Sequence, residues 1–167
     1  MDSRRARLAA FGIAAAVFAL DRVTKVFIKN NFQPLDSFTV IPGFFNVIHT
    51  ENPGAAFSLF ATAPRALRMF LLVTLTTAAL GIIAVLLWRA AVNASRNPEL
   101  RTGLALILGG ALGNLFDRIV YGTVTDFLEL YYRGFSWPAF NVADSAITVG
   151  ACLVALDMLR SRAPRTA

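Results

Sequence analysis

The sequence predicts a mainly α, integral membrane protein: a four-transmembrane-helix bundle with a small extracytoplasmic antiparallel β-sheet and a short interfacial amphipathic helix or loop. Three observations predict it. The chain is 56% hydrophobic before its 11 Gly are counted and only 16% charged, against roughly 45–50% and about 25% in soluble domains, so too few polar side chains remain to cover a water-facing surface. Four runs approach the ~20 apolar residues a helix needs to cross hydrocarbon. Basic residues gather in alternate connections, as positive-inside topology requires.

The first span, 8–28, opens with thirteen uncharged residues before Asp21. Arg4, Arg5 and Arg7 ahead of an apolar run also fit a cleavable signal peptide. The Asp21-Arg22-Lys25 cluster stands where small cleavage-site residues belong, so an uncleaved anchor is expected. The second span, 69–88, carries no charge. The third, 102–121, is interrupted only by Asp117 and Arg118, and the fourth, 137–159, only by Asp144 and Asp157. These spans leave no room for a separate soluble unit, so 1–167 reads as one membrane-embedded domain.

Nine of the 16 basic residues (Arg4, Arg5, Arg7, Arg89, Arg96, Arg101, Arg160, Arg162 and Arg165) fall on one side, which is therefore assigned to the cytoplasm with both termini. The outer loops are 29–68 and 122–136. In the longer one, β-rich runs at 38–41, 44–49 and 55–60 alternate with Pro42-Gly43 and Asn52-Pro53-Gly54, which reads as a small sheet on the membrane surface. The shorter one mixes aromatic and charged residues and favours the headgroup layer.

With this topology, Asp21, Lys25, Asn114, Asp117, Arg118, Asp126, Asn141, Asp144 and Ser145 all reach one layer, near the outer surface. Asn114, Asp117 and Arg118 share a helical face, as do Asn141, Asp144, Ser145 and Thr148, and as do Asp21 and Lys25. A charge in hydrocarbon costs about 2.5–3.5 kcal/mol or more, so these stripes should face one another around a polar pocket. Local readings compete with functional ones. Asp117 beside Arg118 fits a structural ion pair, Asp21 with Lys25 fits an ordinary i,i+4 pair, and Asn141 fits an N-cap. His49 reads as a loop residue and Cys152 as a small hydrophobe in the fourth span.

Asp126 and Asp144 have no such local account, because neither has a cation within four positions. Two such acids at one depth point to the shared-proton chemistry of aspartic proteases, in which one carboxylate activates water and the other polarises the scissile carbonyl. Spacing alone does not choose between Asp126 and Asp117. One His and one Cys exclude a multi-ligand zinc site of the His/Cys type, so neither metal nor cofactor is expected. The net charge of +6 is dispersed rather than striped, which argues against nucleic acid. A small transporter or proton-relay subunit is the alternative, although its acids should form a path across the membrane. A helix-joining assembly factor leaves Asp126 and Asp144 unexplained.

Five runs carry a family resemblance: 21–25 (DRVTK), 52–57 (NPGAAF), 109–118 (GGALGNLFDR), 124–127 (VTDF) and 140–145 (FNVADS). In this order on a four-span chain they resemble bacterial lipoprotein signal peptidase (signal peptidase II). The resemblance implies a catalytic pair of Asp126 and Asp144. It implies supporting roles for Asp21, Lys25, Asn52, Gly54, Asn114, Asp117, Arg118, Asn141 and Ala143. The implied substrate is a diacylglyceryl-modified prolipoprotein, cut just before its lipidated Cys at the extracytoplasmic side of the bacterial cytoplasmic (inner) membrane. It further implies a cradling sheet, a mobile clamp at 128–137 and inhibition by globomycin-type peptides. Two positions depart from the family pattern: Arg22 stands where Gln is usual, and Thr125 where an aliphatic residue is common.

Overall fold

A computed structural model describes residues 3–54, 64–92 and 98–162. They form α1 (Ser3–Asn31), β1 (Ser37–Ile41), β2 (Phe45–Asn52), α2 (Arg65–Val92), α3 (Pro98–Tyr121), β3 (Val124–Tyr132), β4 (Phe135–Ser136) and α4 (Val142–Arg162). Three helices are long and apolar enough to cross a membrane: α2, α3 and α4 over Val142–Arg160. The residues expected as a further span, 8–28, lie within α1. Asp21, Arg22 and Lys25 break its apolar run, so α1 does not join the other three on composition.

Helix α3 is the hub, touching α1, α2 and α4. Small residues allow it. A Cβ on Gly110 would stand 2.5 Å from the Ala143 carbonyl oxygen, and one on Gly113 would collide with the Asp21 carboxylate. The core is made of Ala10 and Ala14 from α1, Leu80 and Leu87 from α2, and Leu104, Ala105, Leu108 and Leu115 from α3. Phe70, Leu75, Ile82 and Leu86 on α2 point outward and are exposed. Such an uncovered apolar face belongs in lipid.

The sheet runs β1-β2-β3-β4, antiparallel throughout. The run expected at 55–60 lies outside the described residues; the strand that follows β2 in the sheet is β3. The interfacial helix or loop expected over 122–136 is instead the strand Val124–Tyr132 and a hairpin. Its Val, Thr, Phe, Leu and Tyr residues favour a pleated surface. Tyr132 pairs with Phe135 across Arg133 (φ 48°) and Gly134 (φ 83°), the double positive φ of a type I′ turn. The fourth helix starts at Val142, not 137. Upstream, Phe140 exchanges backbone hydrogen bonds with Leu128 (3.0 and 2.8 Å), which ties the entry to α4 onto β3.

Candidate active site

The polar residues meet where α1, α3, β3 and the start of α4 converge. Lys25 is fully buried, and its Nζ reaches Asp21 Oδ2 (2.9 Å), Asp117 Oδ2 (3.0 Å) and Asn114 Oδ1 (2.8 Å). Three acceptors match the three protons of an ammonium group. Arg22 adds a second cation against Asp117. Asp117 therefore pairs across helices with α1 rather than with its neighbour Arg118, which corrects the local ion pair expected from sequence. Adjacent residues on a helix point about 100° apart, so Arg118 leaves for the cavity. It donates to the Gly54 carbonyl through Nη2 (3.2 Å) and to the Asn114 carbonyl through Nη1 (3.3 Å).

The start of α4 is capped twice. Asn141 Oδ1 accepts the Asp144 N–H (2.9 Å) while Asp144 Oδ2 accepts the Asn141 N–H (3.2 Å), a reciprocal capping box. Asp21 Oδ1 accepts the Ala143 N–H (3.0 Å), placing an anion where the helix dipole favours one. Asn141 is thus an N-cap, as the local reading holds, and also a bridge. Its Nδ2 donates to Asp126 Oδ1 (2.7 Å), so one residue contacts both Asp126 and Asp144.

Asp126 Oδ2 accepts from Asn52 Nδ2 (3.0 Å). Asn52 is set by a tight turn in which its Oδ1 accepts the Gly54 N–H (3.0 Å), with Pro53 fixing the intervening bend. Asp144 Oδ1 accepts from Asn114 Nδ2 (2.7 Å), and Asn114 Oδ1 faces Lys25, so one amide links the ion cluster to the pair of acids. Asp126 is buried, and that burial together with the nearby Asp144 charge raises its pKa to about 7. All eleven residues implied by the resemblance lie in this one network.

Asp126 and Asp144 line a cavity of about 740 Å³. Asn52, Asn114 and Arg118 form its polar side, and Leu130, Trp137, Phe140, Ile147 and Val149 its apolar side. Among the described residues no group of three or more His, Cys, Asp or Glu is placed to hold a metal. Sequence reasoning missed the buried contacts of His49 and Glu51. His49 is a buried β2 residue, not a loop one, with Nδ1 at 2.8 Å from the Phe32 carbonyl. Strand alternation with Asn52 was the available signal for Glu51. Cys152 is an exposed residue of α4.

The sequence model of signal peptidase (SPase) II matches residues 13–160. The lipoprotein signal peptidase of Solibacter usitatus is 50% identical over 157 residues, covering 93% of each chain. That of Geobacter sulfurreducens is 46% identical over 143 residues, covering 84% of this chain and 85% of its own. A bacterial membrane enzyme structure obtained by the in meso method superposes with a TM-score of 0.78 at 31% identity, over 95% of this chain and 94% of that one. The transporter alternative gives way to a peptidase: the chain belongs to the signal peptidase II family of membrane aspartic peptidases.

Proposed function

We propose that the protein releases signal peptides from diacylglyceryl-modified prolipoproteins by hydrolysing the bond before the lipidated Cys, with Asp126 and Asp144 as the catalytic pair. The bridging of both carboxylates by Asn141, at the edge of a mainly apolar cavity with one polar side, carries this reading. Charge balance supports it. Asp21 and Asp117 are offset by Arg22 and Lys25, which leaves Arg118 opposite Asp126 and Asp144. That remainder is neutral when the two acids hold one proton between them, the favourable state for a site shielded from water.

In the resulting reaction the ionised carboxylate of the pair takes a proton from water as its oxygen adds to the scissile carbonyl. The protonated partner gives its hydrogen to the carbonyl oxygen. On collapse the C–N bond breaks, the amine nitrogen takes the proton from the carboxyl that deprotonated the water, and the other carboxylate takes one from the gem-diol hydroxyl, so the pair is again singly protonated. Asn52, Asn114 and Asn141 hold the carboxylates. Asp21, Lys25, Asp117 and the Ala143 N–H hold the helices that carry them, and Arg118 with the Gly54 carbonyl holds the polar rim.

We assign the reaction to the extracytoplasmic side of the cytoplasmic membrane, with α1 as a fourth span and 1–167 as one domain. Burial of Asp21 and Lys25 against α3 and α4 supports that span, since the charges that break its apolar run face protein. A substrate anchored by acyl chains and a signal helix would enter sideways, its apolar parts along Ile147 and Val149 and its scissile bond at the acids. The β3–β4 hairpin, with exposed Tyr132 and Phe135, serves as the clamp, and globomycin-type peptides would compete for the cavity. In detergent micelles, purified protein is expected to cleave a lipidated precursor, not its unlipidated form, in the presence of EDTA. Equal cleavage of both forms would reject the substrate class.

A further inference from the structure

Behind Asp126, on the opposite face of the β2–β3 pair, Glu51 gathers the hydroxyls of Thr123 and Thr125, the Lys29 ammonium and the His49 ring. Its Oε2 accepts from Thr123 Oγ1 (2.6 Å), and its Oε1 lies 3.2 Å from Thr125 Oγ1, 3.2 Å from His49 Nε2 and 3.4 Å from Lys29 Nζ. Lys29 comes from α1 and also sits 3.6 Å from the centre of the Tyr121 ring. Lys29 and His49 are the charged or titratable groups that meet the carboxylate, while Thr123 and Thr125 offer only hydroxyls. Burial alone would raise the Glu51 carboxyl, but hydrogen bonds from Thr123 and His49 and the Lys29 charge outweigh it and hold it below the usual glutamate range.

The arrangement sits where the β2–β3 ladder is interrupted. Register breaks between Val47 and Thr50, where the His49 N–H turns away to the Asp36 carbonyl (3.0 Å) and the His49 carbonyl accepts from Leu35 N–H (2.8 Å). Beyond this irregularity only Thr50, Glu51 and Asn52 pair with Asp126, Thr125 and Val124 before the chain turns at Pro53. A ladder this short, between a bulge and a turn, is prone to slip, and a one-residue slip would put Asn52 on the wrong face.

Glu51 and Thr125 are direct cross-strand partners, and each immediately precedes a residue of the Asn52–Asp126 hydrogen bond. Thr125 is held on three sides: its side chain by Glu51, its N–H by Asp117 Oδ2 (3.4 Å) and its carbonyl by Asn141 Nδ2 (3.3 Å). We propose that Glu51, acting through Thr125, is a positioning residue for the peptidase reaction, locking β2 to β3 so that the Asn52 amide stays on the Asp126 carboxylate. The proposal rests on the role given to Asp126 above.

Steady-state cleavage of a lipidated precursor across pH tests it, with Thr125→Val, Thr125→Ser, Glu51→Gln and Asp126→Asn compared in micelles. Thr125→Val and Glu51→Gln are each expected to lower kcat about tenfold with KM unchanged to within about twofold. The alkaline limb of the kcat profile should move to higher pH, because a loosened Asn52 amide no longer favours ionised Asp126. Thr125→Ser, which keeps the hydroxyl, should restore kcat. Folded Thr125→Val and Glu51→Gln proteins with wild-type kcat and pH profile, or with a lowered melting temperature alone, would overturn the proposal. Cleavage by Asp126→Asn would instead reject the role of Asp126, whereas an inactive Asp126→Asn beside unaltered Glu51 and Thr125 variants rejects only the positioning role.

Discussion

Two pairs of aspartates share one end of this molecule and differ in what surrounds them. Asp21 and Asp117 are fully buried and held by Lys25 and Arg22 from α1. Asp126 and Asp144 have no salt bridge among the described residues, receive amide hydrogens from asparagines, and face a cavity. Under the proposed assignment the contrast separates scaffold from chemistry. A carboxylate matched by a cation ties helices together, whereas Asp126, buried beside another carboxylate, holds its proton to higher pH.

The comparison breaks most sharply at the second pair. Asp126→Asn or Asp144→Asn is expected to lower kcat by at least ~10³-fold. The folded state should survive, because an amide keeps the shape and one acceptor oxygen. A melting temperature in detergent, measured beside the cleavage rate, checks both halves.

At the first pair the order reverses. Lys25→Met leaves two buried carboxylates short of a cation and should destabilise the protein by about 3–5 kcal/mol. Cleavage should fall in proportion to the folded fraction, read from thermal unfolding. A stable but inactive Lys25→Met protein would place Lys25 in the chemistry and erase the distinction.

A third test uses pH. Asp126 ionises near pH 7 in the folded protein rather than near its ordinary 3.8. Between those values the folded chain keeps a proton that the unfolded chain has released, so this group's contribution to stability is lost as pH rises through the window. Asp126→Asn should therefore be less sensitive to pH than the parent and relatively more stable on the alkaline side. Wild-type cleavage should decline as pH climbs beyond about 7 and the shared proton departs. A rate still rising well above that value would put the proton elsewhere.

The smallest effect is expected at Arg22. Its side chain is 13% exposed, and Asp117 retains Lys25 without it. Arg22→Gln keeps a donor against Asp117 and should cost about 1.5–3 kcal/mol, with cleavage within about twofold of wild type.

Much of the helical layout was legible because uncharged runs such as 69–88 report lipid exposure residue by residue. The acids were legible for the same reason: Asp144 without a local cation is a solvation problem visible in one dimension. What escaped depends on partners distant in the chain. Arg118 follows Asp117 directly, yet Asp117 bonds Arg22, 95 residues away. Strand β3 reads as an interfacial loop until β2 is known to lie beside it. The bulge before Thr50 and the role of Glu51 follow from that pairing, so periodicity within either segment cannot show them. The catalytic assignment of Asp126 over Asp117 came from the family motif, since both lie at the same depth.

The Lys25 cluster also bears on biogenesis. While the ribosome is still making the first helix, Asp21 is within reach of Lys25 one turn away, but Asp117 and Asn114 do not yet exist. Arg22 is equally without its later counterpart. With α1 as the fourth span proposed above, the nascent helix carries an unbalanced positive charge that hydrocarbon penalises, and it should linger at the translocon or headgroup boundary until the third helix emerges. Release into the bilayer and docking of these two helices would then be a single event.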